Sequence, residues 1–237
     1  EARRSPKRIA LSESQQEMFI RFLKQSNRHK YHLPLFVLAL GTGMRSGEIC
    51  GLRWCDINLK KGYISVNHTL QYKSIKGKQC FYISKPKTEC GNREIPILSE
   101  VKRQLVEQKR YIIARQIPTD YIVDGYSDFV FLTKSGKPYT NGGINNFLKS
   151  IIKDCNTWEI EQAQKEGRSP VLLPPFSIHN LRHTFCSRLC AVVHDYKAIQ
   201  MIMGHSDIRI TMDVYNHYSR KDIEVTMEAL EGRLRIS

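Results

Sequence analysis

The sequence predicts an α+β domain that is mainly α, and three features carry that expectation. Apolar residues recur at spacings of three and four near both ends, the stretch from Tyr63 to Ile97 changes to short β-type runs, and Gly, Pro and Ser punctuate the remainder at helix-like intervals. The chain has 237 residues, enough for one large domain with its own core. With 41% apolar and 25% charged residues, a disordered tail or a collagen-like repeat is excluded. Lysine and arginine number 37 against 23 Asp and Glu, a formal charge of +14, which is the balance of a protein that meets a polyanion such as nucleic acid.

In chain order, residues 1–11 carry Arg3, Arg4, Lys7 and Arg8 around Pro6. This basic, extended segment reads as an interdomain linker able to lie along phosphates, or as a solvated tail. Ser12 and Gln15 have capping-box spacing and open a helix that buries Met18, Phe19, Phe22 and Leu23 and runs to about Gln25, which places the start of a domain over residues 12–218. A second apolar helix, Leu33 to Leu40, ends in Gly41-Thr42-Gly43, and Ser46 is placed to cap a short helix through Leu52, so Arg45 falls in the turn. Tyr63–Val66, Gln79–Ser84 and Arg93–Ile97 are expected to form one small antiparallel sheet, with Pro96 marking an edge strand. Helices follow near 99–115, 141–154, 177–190, 195–203 and 211–230, and Trp158 to Pro175, polar and then Pro-rich, is expected to be an excursion between helices. Residues 219–237 suit a terminal helix through Ile223, Met227 and Leu230.

The longest apolar run, Leu35 to Leu40, is too short to span a bilayer, so no membrane role is expected. The start at Glu1, with neither Met nor a signal-peptide core, reads as a fragment of a longer protein without upstream domains or a secretion signal in view. The 7 cysteines are odd in number and lack any C-x-x-C, so neither a disulfide framework nor a zinc knuckle is expected. Reduced, buried thiols in a cytosolic protein fit better.

Three constellations could carry chemistry. In His179-Asn180-Leu181-Arg182-His183, helical spacing puts His179, Arg182 and His183 on related faces. Two His four apart also suit a zinc hydrolase, but that motif needs a Glu where Asn180 stands; phosphate gripped by Arg182 with His179 beside it for proton transfer competes with a plain surface cluster. Gly41 to Glu48 is a glycine-rich turn that sets Arg45 at a helix start, and it lacks the Gly-Lys-Ser/Thr of a nucleotide-hydrolysing loop. Gly204 closes a helix and fixes His205 just beyond it, with Tyr215 ten residues on and Tyr218 a competitor. A tyrosine hydroxyl has a pKa near 10, so a nucleophilic Tyr needs a base and positive charge nearby, and both residue types are present.

In this order the pieces resemble the catalytic domain of the tyrosine recombinases, the phage-integrase family. The matching stretches are Thr42 to Glu48 with Leu52 to Ile57, Lys87-Thr88 before Arg93 to Pro96, His179 to Thr184, and Met203 to Asp207 ending at Tyr215. The spacing and the basic start look most like the integrases of conjugative transposons. The resemblance implies the integrase catalytic fold, with Arg45 and Arg182 clamping the scissile phosphate and His205 as a further donor. It also implies Tyr215 as nucleophile, His179 as acceptor of its proton, and Lys87 as proton donor to the departing 5′ oxygen, with Lys85 the alternative amine. Arg93 matches family sequence and is assigned a structural or DNA-contact role. No metal or other cofactor is implied. The expected activity is site-specific DNA recombination through a 3′-phosphotyrosyl link, in a bacterial cytoplasm, by a tetramer or dimer of dimers on double-stranded DNA, with an accessory directionality factor as a further partner. The tail 219–237 would dock on a neighbouring protomer or pack on its own domain. The rival readings are a type IB topoisomerase and a noncatalytic DNA-binding regulator.

Overall fold

The structure, a computed structural model, describes residues 10–75, 77–86, 91–193, 195–207, 209 and 212. Helix α1 (Glu13–Gln25) starts as its sequence dictates: the Ser12 hydroxyl accepts from the Gln15 N–H at 3.1 Å, and the Gln15 side chain accepts from the Ser12 N–H at 3.0 Å. Its Met18, Phe19, Phe22 and Leu23 are buried, as the spacing predicts. Leu11, the last residue of the expected linker, is also buried, and its N–H donates to Thr184 Oγ1 at 3.0 Å.

Helix α2 (Leu33–Thr42) buries every residue from Leu33 to Ala39. A helix apolar on all sides must lie inside the domain, and α2 packs between α4 (Ser99–Ala114) and α6 (Ile178–Val192). At Gly41 a Cβ would come within 2.4 Å of Val101 Cγ2, so the glycine permits the close approach of α2 to α4. Around this axis, Phe19 packs edge-on against Phe36 and Phe176, with ring centroids 5.2 and 5.8 Å away.

After α2 comes the short helix α3 (Ser46–Gly51). Here the structure differs from expectation by one residue: Ser46 lies inside the helix and Arg45 holds the N-cap position. The Glu48 carboxylate accepts the Arg45 backbone N–H at 2.7 Å, so the reverse half of a capping box does the work expected of the serine hydroxyl.

The β region forms two sheets instead of one. Strands β1 (Ile57–Asn58), β2 (Tyr63–Val66) and β5 (Arg93–Pro96) make an antiparallel sheet in the order β1-β2-β5, with Ile64 opposite Ile95 and Pro96 on an edge strand as expected. Strands β3 (Thr69–Ile75) and β4 (Lys78–Ser84) pair only with each other. Strand β3 was not expected, because its Gln71, Lys73 and Ser74 dilute the β signal in a two-stranded ribbon that has little to bury.

Helix α5 (Asn141–Glu166) corrects the expected excursion at Trp158 to Pro175: the helix continues through Glu166, and only the chain after Gly167 is irregular. Cys155, Glu159 and Ala163 share a buried face at spacing four. The buried polar residue is what makes this turn of helix read as a loop. Glu159 is matched by Arg21 of α1 at 3.1 Å, by Arg168, and by the Val171 N–H at 3.0 Å. Helix α7 (Tyr196–Met203) opens at Asp195, whose carboxylate accepts the Lys197 and Ala198 N–H groups. The helix expected over 211–230, the 219–237 tail and most of the 1–11 linker lie outside the described residues.

Among the described residues, no helix is long and apolar enough to cross a membrane. The described cysteines are free; Cys50, Cys155, Cys186 and Cys190 are buried, whereas Cys55 is exposed and Cys80 half-buried.

Candidate active site

The site is organised by a helix end. The last carbonyls of a helix have no partner within it and carry the negative end of its dipole, so they attract cations. At the end of α7, three consecutive carbonyls are taken by three arginines from three other elements. Ile202 O accepts from Arg93 Nε of β5 at 2.8 Å, Met203 O from Arg182 Nη2 of α6 at 2.6 Å, and Gly204 O from Arg45 Nη2 at the α3 N-cap at 2.6 Å. Residues separated by 109, 21 and 159 positions thus meet on one short segment. Gly204 makes this possible: its φ of 63° ends α7 in the left-handed region, and a Cβ there would sit 2.9 Å from Arg93 Nη1.

Glu48 closes the cluster. Its carboxylate accepts Arg45 Nη1 at 2.9 Å, and Arg93 Nη1 and Nη2 at 3.0 and 2.8 Å. Burial alone would raise its pKa, but the hydrogen bonds and charge of Arg93, with the charge of Arg45, outweigh that and hold it below the ordinary carboxylate value. Arg182 makes a second bond, from Nη1 to Gly43 O at 2.5 Å, and so ties the end of α2 to the end of α7. Burial, then the like charge of Arg45, lowers its pKa to about 9, which leaves it cationic at neutral pH.

His205 follows directly, with its backbone pinned on both sides by Gln200: its N–H reaches Gln200 O at 3.1 Å, and Gln200 Nε2 reaches its carbonyl at 3.0 Å. Burial, then the charges of Arg182, Arg45 and Arg93, lowers its pKa to about 4, so the imidazole is neutral at pH 7. His179 lies at the start of α6, where Ser177 and Asn180 share reciprocal cap bonds and Asn145 of α5 accepts the Ile178 N–H at 2.9 Å. Its ring meets that of His183 edge-on at 5.0 Å. His179 and Arg45 line the same cleft, of about 710 Å³, walled by Thr69 of β3 and Asn146 of α5.

Arg45, Arg182 and His205 therefore come together, and His179 opens onto the same cleft as Arg45. Lys85 follows β4 and is exposed. The Arg93 side chain is 5% exposed and is bonded to Glu48 and to Ile202 O. Lys87, Tyr215, Arg3, Arg4, Lys7 and Arg8 lie outside the described residues. Sequence reasoning missed Glu48 as the counter-charge, although its position three residues after Arg45 is capping-box spacing. Arg45, Arg93 and Arg182 face a single carboxylate, and that surplus of positive charge, held rigidly before any ligand arrives, suits a phosphate ester.

Residues 10–222 match the phage integrase family, and the chain belongs to it. Among its relatives it is similar to the transposase of transposon Tn916 from Enterococcus faecalis, 30% identical over 212 residues that make up 90% of this chain and 48% of that protein. The structure of the Tn1549 transposon integrase in complex with transposon right end DNA superposes with a TM-score of 0.82 at 32% identity, over 96% of this chain and 67% of that one. XerA recombinase, at 18% identity and a TM-score of 0.63 over 96% of this chain and 66% of that one, shares the fold. The resemblance to conjugative-transposon integrases holds, and the chain spans about half the length of the curated relatives it matches.

Proposed function

We infer that this chain is the catalytic domain of a site-specific DNA recombinase that moves a mobile element by cutting and rejoining double-stranded DNA. The observation that carries the reading is the arginine surplus on the α7 terminus, opening to a cleft that His179 also lines. Attack on a phosphodiester concentrates negative charge on the nonbridging oxygens, and a cation about 4 Å away at an effective dielectric near 20 contributes roughly 4 kcal/mol before desolvation. Arg45 and Arg182 supply that charge, and neutral His205 adds a hydrogen-bond donor.

In this reading the Tyr215 oxygen forms a bond to phosphorus as the bond to the 5′ oxygen breaks. His179 takes the tyrosine proton, and Lys87, or Lys85 as the alternative, returns one to the leaving oxygen. The phosphotyrosyl ester keeps the energy of the phosphodiester, so a 5′ hydroxyl of a second strand can displace it. Two strands must be brought together for exchange, which supports an assembly of several protomers, a tetramer or dimer of dimers, acting with a directionality factor in the bacterial cytoplasm. Residues 12–218 form the catalytic unit in this scheme, with 1–11 as a linker along DNA and 219–237 as a tail reaching a neighbour.

The test is capture on a suicide DNA substrate, with the SDS-resistant adduct mapped by mass spectrometry. Y215F is expected to abolish the adduct and keep salt-dependent DNA binding, while Y218F retains both. An adduct that survives in Y215F refutes the assignment, and relaxation of any supercoiled plasmid without paired sites points instead to a topoisomerase.

A further inference from the structure

The cluster holds three guanidinium groups, and Arg93 with Glu48 is the more buried of its two ion pairs. Arg45 is 38% exposed toward the cleft, but the Arg93 side chain is only 5% exposed and Glu48 6%. Arg93 meets Glu48 fork to fork, Nη1 to Oε1 at 3.0 Å and Nη2 to Oε2 at 2.8 Å, and its Nε is held by Ile202 O at 2.8 Å. Bidentate pairs of this kind neutralise a carboxylate locally and fix its plane. Glu48 also accepts Arg45 twice, through Nη1 at 2.9 Å and the backbone N–H at 2.7 Å. Without a second cation, Glu48 would therefore cancel Arg45 itself.

We propose that Arg93 is the positioning residue of the clamp: it takes up the charge of Glu48, so that Glu48 can orient Arg45 without neutralising it. This rests on the recombinase reading above. With Arg93 present, three guanidinium groups face one carboxylate, and the cluster keeps two net positive charges for a phosphate. Removing the Arg93 charge leaves one net positive charge where there were two, and Glu48, already bonded to Arg45 Nη1 at 2.9 Å, is then matched by Arg45 alone. Arg93 touches no substrate in this scheme; its effect passes through Glu48 to Arg45 and through Ile202 O, which adjoins the carbonyls that hold the other two arginines.

The experiment compares the full chain with R93Q, R93K and the double variant E48Q/R93Q. It measures the rate of covalent attachment to a suicide duplex, DNA affinity by anisotropy at fixed salt, and thermal melting. R93Q is expected to slow attachment about 10²-fold with affinity changed by less than about threefold, the split expected when a transition-state interaction is lost. E48Q/R93Q restores the net charge and is expected to recover at least about tenfold of the R93Q loss, which a mere tether would not do. R93K keeps the charge without the fork and is expected to fall between wild type and R93Q. Wild-type rates in R93Q, a double variant no faster than R93Q, or R93K as slow as R93Q would each overturn the proposal. If R93Q melts below the assay temperature, R93K decides: attachment within about tenfold of wild type supports the charge role, and any larger loss overturns it. A wild-type chain that forms no adduct refutes the recombinase reading and this proposal with it, whereas a wild-type adduct with an indifferent R93Q refutes only the proposal.

Discussion

Replacing Gly204 with alanine separates backbone strain from disruption of the arginine cluster, because Gly167 provides a matched control. Both glycines end a helix in the left-handed region, at φ 63° and 65°. An alanine Cβ at Gly167 meets nothing within 4 Å, but at Gly204 it lies 2.9 Å from Arg93 Nη1 and 3.0 Å from its Cδ and Cζ. The Arg93 side chain cannot swing aside cheaply, since it is bonded to both Glu48 oxygens and to Ile202 O. G167A should therefore cost only the left-handed penalty of about 1–2 kcal/mol, a Tm loss of about 2–8 °C at this chain length, with attachment to DNA unchanged. G204A adds overpacking of about 1–3 kcal/mol and moves the carbonyls that hold Arg45 and Arg182, so attachment should fall by at least about tenfold. Scanning calorimetry and suicide-substrate capture read the two effects. Equal Tm losses with equal attachment in the two variants would refute the idea that the α7 terminus organises the clamp.

His205 should make stability depend on pH. Its pKa falls from an ordinary 6.5 to about 4 in the folded chain, so the unfolded chain binds more protons between those values; the contribution is present above about pH 6.5 and is lost as pH falls toward 4. Urea melts at pH 7.5 and 5 should show wild type losing about 1–2 kcal/mol more than H205N, and parallel losses would contradict the assignment. Glu159 should matter for stability alone: E159A releases Arg21, Arg168 and the Val171 N–H together and should lower stability by about 1–3 kcal/mol in denaturant melts. Any loss of its attachment rate at a temperature where the variant is fully folded would tell against a purely structural role.

Local order was mostly legible where neighbours in sequence decide it. The Ser12–Gln15 box, the stripe from Met18 to Leu23 and the edge strand at Pro96 all depend on contacts within a few residues or on proline's missing donor. One local reading slipped by a residue, the α3 N-cap at Arg45 and its Glu48 partner, and the larger failures were those in which distant partners decide. Helix α5 runs on past Trp158 because Arg21 and Arg168 make a buried Glu159 tolerable, and nothing near Glu159 announces Arg21. At the site, the residue types of the clamp could be read from motif order, and Arg45, Arg182 and His205 do converge. The inward turn of Arg182 could not be read, because helical spacing relates it to His179 and His183 but is silent about Gly43 O and Met203 O. Nor could the burial of Arg93, whose partners lie 45 and 109 positions away.

The anchor points at Ile202, Met203 and Gly204 are main-chain oxygens, and every amino acid supplies one. Point substitution there cannot delete an acceptor; it can only displace one. A new side chain at Ile202 leaves its carbonyl for Arg93 in place, whereas a single methyl group at Gly204 runs directly into the Arg93 guanidinium, at 2.9 Å from Nη1 and 3.0 Å from Cζ.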